Sequence, residues 1–393
     1  MPEVQGRVSR RPGRDREGPP KRLAIVGTRG VPASYGGFET LAEELGARLA
    51  ARGYDVTVYG RTHYVPPGLA SHRGMRLVVL PTLRHKYLDT VVHTGVSTLH
   101  ALTRRFDAVL MCNAANALFC GPLRLAGTRV VLNVDGIERR RLKWNALGRG
   151  WYRASERLAT WLPDEIITDA RVIEVYYRDR YDAASTFIPY GCDVGRTAGR
   201  ATLDRLGLVE DGYFLYVSRL EPENNALAVI EAFERTDVPT RLVIVGDAPY
   251  ARDYIARLRE RAGPRVVFPG AVYGEGYREL QCHALAYVHA TEVGGTHPAL
   301  VEAMGFGNCV IVNDVPENRE TAGDDALFFR ASAPDTLSAV LERVVSDAAL
   351  AAEYRERASA RARARFSWDA VTDAYERLLS TRGPAAAEGR STP

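Results

Sequence analysis

Two adjacent glycines and one acid stand close together in the C-terminal half of the chain. Gly294 and Gly295 come just before a predicted helix, and Glu302 lies about two turns into it. Backbone N–H groups at a helix start can bind an anion or sugar hydroxyls, because that end carries about half a positive charge. A carboxylate accepts hydrogen bonds, so Glu302 could bind a diol such as a ribose. The alternative is a glycine-rich turn followed by a helix with a solvated acid.

Arg219 and Asp135 each follow a predicted strand. The guanidinium of Arg219 stays charged near pH 7 and presents a planar set of donors, which suits the oxygens of a diphosphate. An exposed ion pair with Glu221 or Glu223 is the alternative. Asp135 ends an apolar strand and precedes a glycine, so it could orient a sugar hydroxyl or act as a base. A simple Asp-Gly turn explains Asp135 equally well.

A glycine-rich loop follows the first predicted strand. A dinucleotide-binding loop would be compact and would open directly into its helix. Here a proline-containing excursion separates Gly27 and Gly30 from the adjacent Gly36 and Gly37. This spacing disfavours a nicotinamide or flavin site. It favours contact of Gly36 and Gly37 with a phosphate or an acceptor, and a purely structural turn is the alternative.

Short apolar runs rich in β-branched residues alternate with helical or loop segments. Runs of this kind predict parallel strands that are covered on both faces. They form two series, at 22–27, 55–60, 75–80, 107–113, 129–134 and 165–169, and at 213–218, 241–246, 265–270, 286–290, 309–313 and 326–330.

The two series predict an α/β protein with two doubly wound, Rossmann-like parallel-sheet domains facing each other across a cleft. Ligands bind beyond the carboxyl ends of such strands, so all the loops above should point into one cleft. The segment 334–380 is predicted to be helical throughout, with a final helix restarting at Ser367 after Phe366. The predicted parts are a disordered basic tail (1–21), an N-terminal domain (22–190) completed by helix 367–381, a hinge (191–212), a C-terminal domain (213–366) and a disordered tail (382–393).

Composition narrows the class of protein. The chain has 393 residues, 46% of them hydrophobic and 25% charged, and a formal net charge of +4. No basic face is concentrated enough for a nucleic-acid-binding protein, and no apolar run approaches the roughly 18 residues of a membrane span. The five cysteines form no C-x-x-C pair, which favours buried thiols and a cytoplasmic location.

The stretch 144–162 carries tryptophans and arginines at helical spacing. Its apolar face would hold Trp144, Leu147, Trp151, Ala154, Leu158 and Trp161, with Arg149, Arg153 and Arg157 beside it. Such a helix can lie peripherally on an anionic membrane, here on its inner face. The alternative is an ordinary helix whose apolar face packs on the core.

Taken together, these loops resemble the retaining glycosyltransferases of family 4, which have the B-type two-domain fold. The resemblance covers about residues 22–380. Four blocks resemble a rhamnosyltransferase-like subgroup more narrowly, at 30–40, 135–144, 221–225 and 292–298. It implies transfer of rhamnose or another hexose from a nucleoside-diphosphate sugar to a saccharide or polyprenyl-linked acceptor, as in surface polysaccharide or glycoconjugate synthesis.

The resemblance also implies roles for single residues. Arg219 would hold the donor diphosphate, and Glu302 the donor ribose. The amides of Gly294, Gly295 and Thr296 would contact phosphate or sugar. The loop at Gly36 and Gly37 would close over the phosphates from the acceptor-side N-terminal domain, and the final helix would cross back onto that domain.

Three positions depart from the broad family. Asn224 stands where a lysine is usual, Gly294 stands where the first acid of a glutamate pair is usual, with Glu292 two residues earlier, and Asp135 replaces a histidine. The subgroup shares these departures, so Asn224 and Glu292 are assigned to donor binding and Asp135 to catalysis beside Arg219. No D-x-D signature is present, so neither a metal nor another cofactor is expected. Alternatives are a nucleotide-sugar epimerase or hydrolase of the same fold, and a non-catalytic sugar-nucleotide-binding protein.

Overall fold

A computed structural model of the protein describes residues 21–34, 36–85, 88–140, 144–248 and 251–380. The predicted tails at 1–21 and 382–393 lie outside these residues, apart from Lys21. No helix within the described ranges is both long and apolar enough to cross a membrane.

The first domain is built on an eight-stranded sheet. Its strands run in the order β3-β4-β2-β1-β5-β6-β7-β8, and all pairs are parallel except β3 with β4. The strands are β1 Arg22–Val26, β2 Asp55–Arg61, β3 Ser71–His72, β4 Met75–Leu80, β5 Ala108–Cys112, β6 Arg129–Asn133, β7 Glu165–Thr168 and β8 Thr186–Phe187; the helices are α1 Gly37–Ala51, α2 Asp89–Arg104, α3 Cys120–Leu125, α4 Ala146–Ala159 and α5 Arg171–Tyr181.

The second domain is built on a six-stranded parallel sheet, in the order β11-β10-β9-β12-β13-β14. Its strands are β9 Tyr213–Val217, β10 Arg241–Val245, β11 Val266–Gly270, β12 Ala286–His289, β13 Cys309–Asn313 and β14 Leu327–Phe329; its helices are α6 Ala201–Leu206, α7 Ala226–Glu234, α8 Arg252–Arg261, α9 Gly274–His283, α10 Pro298–Gly305, α11 Pro316–Ala322, α12 Pro334–Ser346 and α13 Ala348–Arg365. A last helix, α14 Trp368–Ser380, follows this domain.

Side chains point alternately to the two faces of each strand, so each sheet has a hydrophobic layer on both faces. In β5, Leu110 and Cys112 point into one layer, while Val109 and Met111 point into the other. All five residues of this strand are buried. This is why the central strands read as continuous apolar runs, and the predicted fold class is confirmed.

The last helix returns to the first domain. Trp368, Val371, Tyr375 and Leu379 lie on one face of α14 and are part of a core layer of the first sheet. The predicted restart after Phe366 is confirmed by α14, but a further break at Asp347 was not predicted; Asp347 caps α13 by accepting a hydrogen bond from the Leu350 N–H (3.0 Å).

The chain passes between the domains twice, and the two passages lie side by side. The Cys192 N–H donates to the Phe366 carbonyl (2.8 Å), and Cys192 and Ser367 form a parallel β-bridge. The predicted hinge 191–212 is longer than this crossing. Leu203 of α6 and Leu208 are buried in the second core, so most of that segment belongs to the second domain.

Candidate functional site

The carboxyl ends of the two sheets face each other, and their loops touch. A Cβ added to Gly136, after β6, would lie 2.7 Å from backbone atoms of Gly294, after β12. A Cβ on Gly37, at the start of α1, would lie 3.0 Å from the ring of Pro298, at the start of α10. The structure therefore brings the predicted glycine loops of the two domains together at one cleft.

The β12–α10 loop packs tightly around its two glycines. A Cβ on Gly294 would meet the His297 ring at 2.3 Å, and a Cβ on Gly295 would meet Asp169 Oδ1 at 2.0 Å. Thr296 is buried, and its hydroxyl donates to the Asp169 carbonyl of the first domain. No side chain caps the start of α10. A side chain at either position would therefore force His297 or Asp169 to move.

Glu302 lies in α10 with its carboxylate held by a chain of side chains. The Tyr277 hydroxyl donates to Glu302 Oε2 (2.6 Å), and Gln281 Nε2 donates to that hydroxyl (3.0 Å). Burial raises the pKa of Glu302 to about 7, with Glu44 and Asp193 adding negative charge and the Tyr277 hydrogen bond opposing the rise. Glu302 is therefore an acid whose charge changes near neutral pH.

Arg219 lies in the loop between β9 and α7. Its Nη1 is 3.9 Å from Glu221 Oε2, at the outer limit of an ion pair, and its side chain is 27% exposed. The pairing with Glu221 that the sequence left open is thus present but long. A hydrogen bond from the Glu292 N–H to the Glu223 carbonyl (3.3 Å) joins this loop to the β12–α10 loop.

Asn224 and Glu292 do different things in the structure. Asn224 is buried, and its Nδ2 donates to the Arg219 carbonyl (2.7 Å), while its own carbonyl accepts from the Tyr216 hydroxyl (2.7 Å). The side-chain nitrogen of Asn224, a residue predicted to bind the donor, is therefore used inside the loop, where it holds the Arg219 backbone. The side chain of Glu292 is exposed.

Gly36 and Gly37 begin α1 on the first-domain side of the cleft. Gly36 is the N-cap in an extended conformation, and it has no side chain of its own to cap the helix. Added atoms at Gly37 would also contact the Tyr190 hydroxyl at 3.2 Å. The start of α1 therefore faces Tyr190 and the second-domain helix α10 without an intervening side chain of its own.

Asp135 has a left-handed backbone, with φ of +57°. Such a conformation is uncommon outside glycine, although Asp tolerates it better than most residues. Its N–H donates to Asn133 Oδ1 (3.0 Å), and Asn133 Nδ2 donates to the Tyr375 hydroxyl of α14 (2.7 Å). The returning helix thus supports the loop that carries Asp135.

Asp169 and Tyr277 were missed by the sequence reasoning. Asp169 follows β7, and burial together with the neighbouring Asp135 carboxyl raises its pKa well above its usual value. The signal was available, because Asp169 is an acid directly after an apolar strand, as Asp135 is. Tyr277 carried no comparable signal, since only folding brings α9 beside Glu302.

Two facing parallel-sheet domains with a last helix that returns to the first domain define the B-type fold of glycosyltransferases. The family model "Glycosyltransferase Family 4" matches residues 35–196, and "Glycosyl transferases group 1" matches residues 204–365. Together they cover most of the chain. The protein belongs to the family 4-like glycosyltransferases of this fold.

Similar curated proteins include O-antigen chain mannosyltransferase B of Escherichia coli, which is 29% identical over 181 residues, or 43% of this chain and 46% of that protein. Another is the Campylobacter jejuni N-acetylgalactosamine-N,N'-diacetylbacillosaminyl-diphospho-undecaprenol 4-alpha-N-acetylgalactosaminyltransferase, 25% identical over 46% of this chain and 50% of that protein. The chain spans about half the length of these relatives.

Among solved structures, sucrose-phosphate synthase from Thermosynechococcus elongatus has a TM-score of 0.79 at 19% identity, covering 91% of this chain and 98% of that one. Anabaena HepE in complex with UDP-glucose has a TM-score of 0.75 at 16% identity, covering 92% and 99%. At these identities the likeness shows the fold.

Proposed function

We propose that the protein transfers rhamnose or another hexose from a nucleoside-diphosphate sugar to a saccharide or polyprenyl-linked acceptor, with retention at the anomeric carbon. The observation that carries the proposal is the contact between the two domains at the carboxyl ends of both sheets. There Gly136 lies against Gly294 and Gly37 lies against Pro298, beside the Arg219 loop and the helix that carries Glu302. The mannosyl- and N-acetylgalactosaminyltransferase relatives support a place in polysaccharide or glycoconjugate assembly.

In the proposed reaction, the bond between the anomeric carbon and the diphosphate oxygen breaks while the acceptor oxygen bonds to that carbon. The electron pair leaves with the diphosphate, and the acceptor proton leaves with it or with a nearby base. Arg219 and the amides at the starts of α1 and α10 would stabilise the developing negative charge, because prearranged donors act strongly in an enclosed site. These groups supply the charge without a metal or another cofactor.

Glu302 would accept hydrogen bonds from the two ribose hydroxyls in its ionised form. Its pKa of about 7 means that the free protein must release a proton to bind the donor below that pH. Donor affinity is therefore expected to rise as the pH is raised to about 7, by up to about tenfold per unit, and then level off. Calorimetric titration with the nucleotide sugar between pH 5.5 and 8.5 measures this.

Glu302→Gln should bind the donor at least about tenfold more weakly above pH 7 and show no pH dependence in this range, since it loses an ionised acceptor. Glu342→Gln, an exposed acid in α12, is the matched control and should behave like the wild type. A Glu302→Gln protein that keeps the wild-type pH dependence would contradict the ribose role.

A lipid-linked acceptor would bring the protein to an anionic membrane surface, on the inner face of the cell membrane. The α4 region supports this, because Ser155 and Glu156 face inward while Leu147 is 83% and Trp161 59% exposed. The core-facing alternative therefore does not hold for these two side chains. Leu118 and Leu125, on neighbouring elements, add to this exposed apolar surface. The exposed charged residues of α4 are all basic: Arg149, Arg153 and Arg157.

Combined Leu147→Ser and Trp161→Ser substitutions are expected to lower sedimentation with phosphatidylglycerol vesicles by roughly tenfold or more, because two apolar side chains no longer enter the interface. Val209→Ser with Tyr273→Ser, exposed apolar positions of the second domain, is the control and should sediment like the wild type. Sedimentation that is unaffected by salt, or equal for both variants, would count against this surface.

The function itself is tested by a thermal-shift screen over dTDP-, UDP- and GDP-sugars, followed by incubation of the best donor with and without acceptor. A glycosyltransferase should form a glycosylated product only when the acceptor is present. Donor consumption without acceptor favours an epimerase or hydrolase, and a shift without any consumption favours a non-catalytic binding protein.

A further inference from the structure

Two carboxyl groups lie together at the ends of neighbouring strands. Asp135 follows β6 and Asp169 follows β7, and these strands pair in parallel, with Asn133 opposite Ile167. The Asp135 carboxyl lies close to that of Asp169 and raises the pKa of Asp169. A carboxylate only accepts hydrogen bonds, so two carboxyls can bond to each other only when one of them holds a proton.

Burial isolates the carboxyl of Asp169 from water. It is 1% exposed, and neither of its carboxyl oxygens accepts from an N–H or hydroxyl group of another described residue. A buried polar group without a partner is costly, and an ionised one is more so. A proton shared with Asp135 satisfies both carboxyls at once.

The negative charge that faces this pair favours its protonated state. Glu320 of α11 adds a negative charge, and Tyr190, after β8, and Tyr375, of α14, also interact with both carboxyls. Burial is the largest cause that raises the pKa of Asp169, and Asp135 and Glu320 raise it further.

Asp169 also touches the loop that would carry the donor. Its carbonyl accepts the Thr296 hydroxyl, and the backbone of Gly295 lies directly on its carboxyl. Next to it, Glu320 of the second domain accepts hydrogen bonds from the N–H groups of Arg171 (2.6 Å) and Val172 (3.1 Å) at the start of α5. Asp169 thus lies where the two domains join, between Asp135 and the β12–α10 loop.

We propose that Asp169 is a positioning residue of the transfer reaction, which shares one proton with Asp135 and so holds the Asp135 carboxyl against the Gly294–Thr296 loop. This inference rests on the function proposed above. The pair then offers one O–H donor and free acceptor oxygens to the hydroxyls of the transferred sugar. The proton stays within the pair throughout, so no bond to it is gained or lost in the reaction.

The shared proton is tested first without any ligand, by thermal unfolding of the whole chain between pH 4 and 8. Where a folded protein binds more protons than the unfolded one, stability falls as the pH rises. Asp169, whose folded pKa is raised, should therefore lower the wild-type melting temperature progressively as the pH rises above about 4. Residue 169 cannot titrate in Asp169→Asn. The melting temperature of this variant should therefore rise relative to that of the wild type as the pH increases.

Positioning is tested by the pH dependence of kcat, with KM for the donor measured in parallel. Wild-type kcat should decline on the alkaline side, where the pair loses its proton, whereas Asp169→Asn, whose amide still donates to Asp135, should show no such decline. Asp169→Ala should lower kcat about 10²-fold, since Asp135 is then misplaced, with little change in KM. Asp179→Asn, an exposed acid on α5, is the control and should match the wild type.

Failure of this inference is distinguishable from failure of the function. If the wild type transfers sugar but Asp169→Asn keeps its alkaline decline, or if the unfolding difference does not change with pH, the shared proton is overturned. If the wild type transfers no sugar from any donor, the positioning role is overturned together with the reaction.

Discussion

Arg219→Ala is expected to lower kcat for sugar transfer by about 10²–10³-fold. The guanidinium lies at the end of β9, in a loop that a hydrogen bond joins to the β12–α10 loop. Removing one prearranged donor from the place where charge develops typically costs this much in rate. The side chain is 27% exposed and its ion pair with Glu221 is long, so the melting temperature should change little. Steady-state kinetics with the identified donor and acceptor measure the effect.

Arg235→Ala is the matched control for this experiment. Arg235 also lies in the second domain, and it forms an exposed ion pair with Asp335 between α7 and α12. It should retain wild-type turnover. Near-normal turnover of Arg219→Ala under the same conditions would refute its role at the diphosphate.

Gly136→Ala is expected to reduce kcat/KM by about 10²-fold or more. The new Cβ would lie 2.7 Å from the backbone of Gly294, and a backbone atom cannot turn aside as a flexible side chain can. The two domains must separate locally to admit it. A misplacement of about 1 Å at a reacting centre can cost about 10²-fold in rate. The contact is between domains, so each domain should unfold at nearly its wild-type temperature.

Gly150→Ala provides the comparison for Gly136→Ala. Gly150 lies in α4, and an added Cβ would meet no atom of the described residues within 4 Å. This change should leave activity intact and stabilise the helix by up to about 1 kcal/mol. Small-angle scattering should show a larger radius of gyration for Gly136→Ala alone. Full activity of that variant would mean that the close approach at Gly294 is not needed for turnover.

The central strands were predictable because burial on both faces requires a short continuous run of apolar residues, which is visible in the sequence. The runs at 55–60, 75–80 and 309–313 agree with β2, β4 and β13 to within a residue. The two-residue strands β3 and β8 were not predicted. They lie at the sheet edges, where a strand needs neither length nor an apolar run, and their pairing is decided by the neighbouring strand.

The loops of the site were predictable from their position after strands, but the partners of each residue were not. Asn224 reads as a polar residue near Arg219, and only the fold shows that its amide holds the Arg219 carbonyl. The pair of Asp135 and Asp169 depends on β6 and β7 being neighbours, which the order of strands along the chain does not reveal.

The α4 region shows the limit of periodicity. Its apolar spacing predicted one apolar face, but the structure buries Tyr152, Ser155 and Glu156 instead. Glu156 can be buried because Arg139 and the hydroxyls of Tyr176 and Tyr181 bond to it. A hydrophobic pattern alone cannot register such a network of partners from distant segments.

The paired passages between the domains determine which movements the molecule can make. Because Cys192 and Ser367 are bridged and the Cys192 N–H is bonded to Phe366, the two connections must bend together at one place. The ring of Trp368 packs directly against Gly191, where an added Cβ would lie 2.4 Å from it. This close packing prevents the two connections from sliding past each other. The movement that these contacts leave open is a rotation of the two domains about the paired connections, which would widen or narrow the cleft between the sheets.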